Sequence, residues 1–210
     1  MTEKQNNTVF TTCPGIFSYA RVSEPRFEDN RVDEDGNPVP IYSTMFLFDK
    51  KEKAFKKAFD AAVKAAFDKG VKAGKFNAKA FATVKKPLRD GDAELESGQQ
   101  ENEIYKGRYF FNAVTTKEPP KVMKAVGGQI VPIDSSDEFY SGCIGRLLGS
   151  CYAFKVPTSR GIAVGLNGCL KLKDGERLDG RPNVQSAFDQ FAAEGELDES
   201  EYEGDSGDFV

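Results

Sequence analysis

The spacing of hydrophobic and polar residues predicts a mainly β chain with a single long helix. Six segments rich in β-branched and aromatic residues are bounded by Gly, Pro, Asp or Asn, as strands are. These predicted strands are Gly15–Val22, Ile41–Phe48, Gly107–Thr115, Val122–Ile133, Ser141–Val156 and Gly161–Lys173. Between the second and the third, Lys50–Lys69 carries apolar residues every three or four positions, which is typical of a helix that packs one face on a sheet. We expect Asp49 to cap this helix and Gly70 to end it.

Short strands, one intervening helix and many glycines favour an OB-type five-stranded, partly open barrel over a sandwich or a parallel sheet. Gly142, Gly145 and Gly149 support this fold class, since glycines inside a strand permit the bulges and sharp coiling that closure requires. We expect one folded domain over residues 1–187, with a short amphipathic helix after Arg181, and then a disordered acidic C-terminal tail over residues 188–210. Within the folded domain, Lys72–Gln100 is expected to be the most mobile part.

Charge is distributed unevenly along the chain. The last seventeen residues, Glu194–Val210, hold eight acidic side chains and no basic one, whereas residues 1–187 hold 24 acidic and 29 basic side chains. A basic body with an acidic tail that ends near an aromatic residue can fill its own anion groove until a stronger polyanion displaces the tail. Nucleic acid is the obvious competitor, and a solubilising terminus is the alternative interpretation of the tail.

The chain contains no histidine, so it lacks the commonest general base and the usual activator of serine or cysteine nucleophiles. Enzyme chemistry would therefore rest on carboxylates. The densest group in the body is Asp90, Asp92 and Glu94, which alternate as magnesium ligands sometimes do, although a solvated turn has the same composition. We expect no metal and no cofactor.

No stretch approaches the roughly 18 to 20 apolar residues of a membrane span, and the first residues lack the apolar run of a signal peptide. We therefore expect a protein of the cytoplasm. The four cysteines include no CxxC pair and should be reduced there, which favours small core residues over a zinc site. They are Cys13, Cys143, Cys151 and Cys169.

Aromatic and basic residues alternate in several of the predicted strands. Single-stranded nucleic acid is held by cations along its phosphates and by aromatic rings on which unpaired bases stack. Tyrosines beside positive charge are the better stacking candidates, because phenylalanines are more often buried. The predicted DNA-binding residues are Tyr19, Arg21, Tyr105, Lys106, Arg108, Tyr109, Tyr140, Arg146, Tyr152 and Lys155. No major-groove helix, zinc finger or GxxxxGK[ST] loop is recognisable, so sequence-specific binding is not expected.

Seven segments, in the same order, resemble a family of tailed-phage single-stranded-DNA-binding proteins, and the similarity covers most of residues 13–181. They are FSYA (Phe17–Ala20), PLRDGD (Pro87–Asp92), YKGRYFFNA (Tyr105–Ala113), EFYSGCIGR (Glu138–Arg146), YAF (Tyr152–Phe154), GIAVGLN (Gly161–Asn167) and KLKDGERLDGR (Lys171–Arg181). The resemblance implies an OB-fold protein that coats single strands during phage replication, recombination and repair. Ile144 departs from it, because many members of the family have an aromatic residue there.

The tail is similar to the acidic, phenylalanine-bearing terminus of replicative single-strand binders. This resemblance implies a partner-binding segment that includes Asp205, Asp208, Phe209 and Val210. Val210 is a departure, because it follows the aromatic residue and changes how the terminal carboxylate is presented.

The sequence therefore predicts a non-enzymatic phage or prophage protein that binds single-stranded DNA, with a tail that competes with DNA and recruits replication or recombination proteins. The oligomeric state is left open, with a homodimer as one option. Two alternatives remain: a magnesium-dependent nuclease centred on Asp90, Asp92 and Glu94, and a virion or assembly protein that recognises only other proteins.

Overall fold

The computed structural model describes residues 7–29, 31–133, 137–178 and 180. The strands in this part are β1 Val9–Thr11, β2 Gly15–Arg26, β3 Ile41–Asp49, β4 Arg89–Asp90, β5 Arg108–Thr115, β6 Lys121–Val126, β7 Gln129–Pro132, β8 Ile144–Val156 and β9 Ser159–Lys173. The helices are α1 Lys53–Lys72 and α2 Gly91–Glu96, with short 3-10 helices at Ala78–Ala82 and Glu103–Tyr105. The prediction of a mainly β fold with one main helix is confirmed. The predicted strand Val122–Ile133 is instead the hairpin β6–β7, which turns at Gly127 and Gly128.

Five strands pair side by side around a partly open ring. Strand β2 pairs with β3, β3 with β5, β5 with β9, β9 with β8, and β8 with β2. The β5–β9 pairing is parallel and the other four are antiparallel. Two of the pairings are short, since Gly15–Ile16 meets Ile144–Gly145 and Ala113–Val114 meets Val164–Gly165. This is the five-stranded, partly open arrangement expected of an OB-type fold.

Residues 85–90 fill the opening between the first half of β5 and the start of β9. The carbonyl oxygen of Lys85 accepts a hydrogen bond from the backbone N–H of Ile162 at 2.8 Å, while β4 pairs with Tyr109 and Phe110 of β5. The approach depends on Gly161, where a Cβ atom would lie 2.5 Å from the Lys85 oxygen. The sequence predicts a mobile segment here, whereas the structure ties it to two strands.

Helix α1 covers one end of the ring and completes the main core. The ring of Phe59 stacks on Phe111 with centroids 4.8 Å apart, and Phe55 meets Phe48 edge to face at the same distance. The four cysteines are free and buried, as predicted, and burial raises the pKa of Cys13 and of Cys151 to about 12.

Both predicted boundaries of α1 were wrong by a few residues. The helix begins at Lys53 with Glu52 at the N-cap position, because the carboxylate of Asp49 instead accepts a hydrogen bond from the backbone N–H of Lys51. Gly70 lies inside the helix, where it permits close packing: a Cβ atom there would be 2.7 Å from the side chains of Ala153 and Phe76.

Some predictions concern parts of the chain outside the described residues. These are the domain boundary between residues 187 and 188, the short helix after Arg181, and the acidic tail. Among the helices that the structure does describe, none combines the length and apolar character needed to cross a membrane.

Closure of the ring should be sensitive to side-chain volume at Gly145. A Cβ atom there would lie 2.0 Å from the carbonyl oxygen of Leu170, so Gly145→Ala should lower the free energy of unfolding by about 1–3 kcal/mol. Gly165→Ala is the matched control, because its Cβ would meet the rotatable hydroxyl of Ser150 at 3.1 Å. Urea unfolding of both variants measures the difference, and equal losses would contradict this account of closure.

Candidate nucleic-acid interface

A row of paired residues, the outer row, crosses the outside of the ring. Its members in β2, β3, β5, β9 and β8 are Arg21, Ser43, Val114, Gly165 and Ser150. The residue beside each member along its strand is buried: Val22, Thr44, Ala113, Val164 and Cys151. Because successive side chains in a strand point to opposite faces, the outer row faces away from the core. With strands about 4.8 Å apart, the row is about 19 Å long.

Two exposed tyrosine rings lie near the two ends of this row, both on the side of Met45 and Asn112. Tyr19, with 66% of its surface exposed, sits in an irregular part of β2 at a φ of 48°. That conformation costs a non-glycine residue of the order of 1–3 kcal/mol, and here it accompanies a ring directed to solvent. Tyr152 is 46% exposed and shares the face of Ser150, two residues before it in β8. A Cβ atom on Gly165 would lie 3.8 Å from the Tyr152 ring, so the ring lies close to the row.

Positive charge and small polar groups complete the outer face. Arg21 is exposed on the outer face, whereas Lys155 is exposed near the tip of the β8–β9 hairpin and leaves the opposite face from Tyr152; neither side chain has an ion-pair partner within the described ranges. The outer face also carries Asn112, which is exposed on β5, and Asn167, whose Oδ1 lies 3.2 Å from the Ser150 hydroxyl. Of the ten predicted residues, the structure therefore brings three to this face, Tyr19, Arg21 and Tyr152, and places Lys155 next to it near the hairpin tip.

Two predicted stacking residues lie in the interior instead. Tyr105 is 2% exposed and its hydroxyl donates to the sulfur of Met45 at 3.2 Å, while burial raises its pKa. Tyr140 is 7% exposed and its hydroxyl donates to the Asp174 carboxylate at 2.7 Å; burial raises its pKa as well. Each phenol has an internal partner, so each ring can be buried. In this conformation neither ring can stack on a base.

Tyr109 lies on another side of the molecule. It lines a groove of about 530 Å³ between α1 and residues 81–90, and its ring packs on Phe48. The ammonium groups of Lys50 and Lys56 lie 5.1 and 5.7 Å from its centroid. Tyr109 is thus half-buried and separated from the outer row by the alternation of β5.

The remaining predicted cations contact neighbouring groups. The guanidinium of Arg108 donates to the carbonyl oxygen of Ile104 at 2.5 Å, and that of Arg146 donates to the carbonyl oxygen of Thr12 at 2.6 Å. Lys106 is exposed and lies 3.4 Å from the Glu103 carboxylate. All three side chains keep their positive charge. The hydrogen bonds to backbone carbonyls, however, restrict the side chains of Arg108 and Arg146 to the protein surface.

The segment that contains α2 covers part of the outside of β3 and β5. A second apolar cluster forms beneath it from Met45, Leu47, Tyr105 and Phe110, with Ile16, Leu95 and Ile104 at its margin. The part of the outer face that stays open therefore begins beyond Met45, at Ser43 and the other members of the outer row.

The carboxylates predicted as magnesium ligands hold this covering segment in place. Asp90 caps α2 by accepting the backbone N–H groups of Asp92 and Ala93, and it also binds the Lys50 ammonium. Asp92 lies 2.7 Å from the same ammonium, whereas Glu94 binds Arg89 through both oxygens. Within the described ranges, no group of three or more His, Cys, Asp or Glu is arranged to hold a metal ion.

Comparisons with known proteins identify a class of protein that has this fold, the phage single-stranded-DNA-binding proteins. The family model described as the single-stranded-DNA-binding protein of Enterobacter phage Enc34 matches residues 16–199. The chain belongs to this family, so the family resemblance predicted from the sequence is confirmed. A search of curated proteins gave no match.

Several solved structures share the fold. The single-stranded-DNA-binding protein of bacteriophage Enc34 in complex with single-stranded DNA gives a TM-score of 0.65 at 18% identity, over 84% of this chain and 96% of that chain. Its C-terminal truncation gives 0.61 at 20% identity, over 84% and 95%. The single-stranded-DNA-binding protein gp2.5 of bacteriophage T7 gives 0.52 at 15% identity, over 96% and 97%.

The contacts of Asp92 predict a pH-dependent contribution to stability. The backbone N–H of Gly107 and the Lys50 ammonium hold the pKa of Asp92 below its usual 3.8. A carboxylate whose pKa is lower in the folded state stabilises the fold above its unfolded pKa, and this contribution is lost as the pH falls through the folded value. Asp92→Asn should therefore be less stable than the wild type at about pH 6, and the difference should shrink towards about pH 2. Urea midpoints across this range measure it, and a constant difference would contradict the assignment.

Proposed function

We propose that this chain binds single-stranded DNA without reading its sequence, and that the strand lies along the outer row. The observation that carries the proposal is the row of mostly small side chains with an exposed tyrosine near each end and Arg21 at one end. The membership in a family of single-stranded-DNA-binding proteins supports it independently.

The surface suits unpaired nucleotides for three physical reasons. Every base has a flat π-face, so stacking on Tyr19 and Tyr152 requires no particular sequence. Ser43, Gly165 and Ser150 project little from the sheet, which lets the strand approach the backbone. Arg21 is available to phosphates on this face and Lys155 at the adjoining hairpin tip, and each phosphate neutralised adds about −0.7 to the log–log slope of binding against salt.

The wider role that we propose is the coating of single strands during phage DNA replication, recombination and repair in the host cytoplasm. In this proposal, residues 1–187 form the DNA-binding domain and residues 188–210 form the acidic tail. The tail competes with DNA through its carboxylates and recruits replication or recombination proteins through Asp205, Asp208, Phe209 and Val210. Its charge, opposite to that of the body, supports the competition.

Replacing both exposed tyrosines tests the DNA-binding surface. Each stacked base contributes about 1–3 kcal/mol, so Tyr19→Ala and Tyr152→Ala should each weaken binding to oligo-dT by roughly 5- to 150-fold. Tyr140→Phe is the control, because it changes a buried hydroxyl and leaves the outer face intact. Fluorescence anisotropy with oligo-dT beside a duplex of equal length measures the effect. Equal affinity of the wild type for both probes, or full affinity in the double variant, would refute the proposal.

Removal of Glu194–Val210 tests the competing tail. The truncated chain should bind oligo-dT more tightly than the full chain at low salt, and the two affinities should converge as salt screens the tail. Salt titrations of both proteins against the same oligonucleotide provide the measurement. Weaker binding after truncation would rule out competition by the tail.

A further inference from the structure

Two stretches of the chain that lack acidic residues pack together at one end of the molecule. Residues 69–89 contain seven basic residues and no acidic one, and residues 139–173 contain five basic residues and no acidic one. The first stretch runs from the end of α1 to β4, and the second includes the hairpin β8–β9. Because the two stretches are far apart in sequence, the concentration of positive charge that the fold creates cannot be recognised from the sequence alone.

Direct contacts hold the two stretches together. The ammonium of Lys75 donates to the carbonyl oxygen of Ala153 at 2.7 Å, and Gly70 of α1 packs against the same residue. At the hairpin, the backbone of Lys85 pairs with that of Gly161 in the adjacent strand. The end of α1, the segment after it and the tip of the hairpin therefore form one surface, which we call the basic end.

The cations of the basic end are not neutralised by the fold. Lys155 and Arg160 are directly opposite each other across the hairpin, and like charges at such positions repel. Lys72, Lys79 and Lys85 are exposed on the other stretch. In the part of the chain that the structure describes, none of these five side chains has an ion pair. A concentration of unneutralised cations attracts a polyanion.

The basic end also lies next to the proposed DNA surface. Tyr152 and Lys155 are three residues apart on β8, which corresponds to about 10 Å along a strand. Their side chains leave opposite faces of the hairpin, because the two positions differ by an odd number of residues. A DNA strand that leaves the outer row beside Tyr152 therefore meets the hairpin tip and can turn around it.

We propose that the basic end binds the phosphodiester backbone of nucleotides that extend beyond the outer row, and so lengthens the footprint of the protein. The inference rests on the proposed function, since it concerns the same DNA strand. It assigns a phosphate-binding role to Lys72, Lys79, Lys85 and Arg160 in addition to Lys155. These contacts are made by cations alone and therefore add no sequence preference.

The test compares charge-matched double variants of the full chain. Lys85→Ala with Arg160→Ala, and Lys72→Ala with Lys79→Ala, each remove two charges from the basic end. Lys53→Ala with Lys57→Ala is the matched control, because it removes two exposed charges from the first turns of α1. The probes are two oligo-dT molecules, one of about 6 nucleotides and one of about 20.

The expected effect grows with oligonucleotide length. On the longer probe, each basic-end variant should lose roughly 2- to 30-fold in affinity, as two exposed ionic contacts of usual strength would give. Its salt slope should fall in magnitude by up to about 1.4. On the shorter probe, the variants should bind like the wild type, and the control should match the wild type on both probes. Unfolding midpoints should stay unchanged, since no ion pair is lost.

Other outcomes separate this inference from the proposed function. Failure of the wild type to bind either probe would refute the proposed function. If the wild type binds but the basic-end variants lose nothing, lose equally on both probes, or lose no more than the control, the basic end is not part of the footprint. Tighter binding by these variants would also overturn the proposal, because it would assign the surface to the chain's own acidic tail.

Discussion

The parallel contact between β5 and β9 is the constraint on which the proposed surface depends. Only two residue pairs form it, yet it places Val114 beside Gly165 and so joins β2 and β3 to β8 through one continuous outer face. Because this contact is short, β5 and β9 do not pair before Ala113 and Val164. Residues 85–90 fill that opening by hydrogen bonding to both strands. The segment that completes the ring also carries Lys85 to the hairpin tip, so closure and charge placement have the same structural cause.

Most of the fold could be predicted from local patterns, because strand and helix periodicity depend on neighbouring residues. The stripe from Phe55 to Phe67 faces the core as predicted. The role of residues 85–90 could not be predicted, since their partners Phe110 and Ile162 are distant in sequence and the segment has no periodicity of its own. The start of α1 was also mispredicted. The Asp49 carboxylate accepts a hydrogen bond from the backbone N–H of Lys51 before the helix begins, and residue type alone does not show which N–H it will bind.

The proposed binding surface was predicted in part, for a related reason. The proximity of aromatic and basic residues correctly indicated Tyr19 and Tyr152 as exposed rings, but the same pattern occurs at Tyr105 and Tyr140, which are buried. Sequence does not show which hydroxyl has an internal partner. The sequence analysis missed three small polar residues of this surface: Ser43, Asn112 and Ser150. Such residues cannot be recognised as a group until strand pairing aligns them. Their alternation with buried residues is the one sequence pattern that marks them as outward-facing.

The fold pairs the acidic side chains near α2 with neighbouring cations. Cations that have no such partner therefore indicate where a polyanion would bind. Asp90, Asp92 and Glu94 form the densest acidic group of the body, and the fold binds them to Lys50 and Arg89 where they cap α2 and hold its segment. Acidic groups that resemble a metal site in sequence are thus used to fix a covering segment on β3 and β5. No carboxylate lies on the two stretches that form the basic end, so no neighbouring acid of those stretches can neutralise Lys155 and Arg160. In the proposed function, the cations neutralised beside α2 attract no strand, the unneutralised cations at the hairpin attract the phosphates, and the adjoining outer row receives the bases.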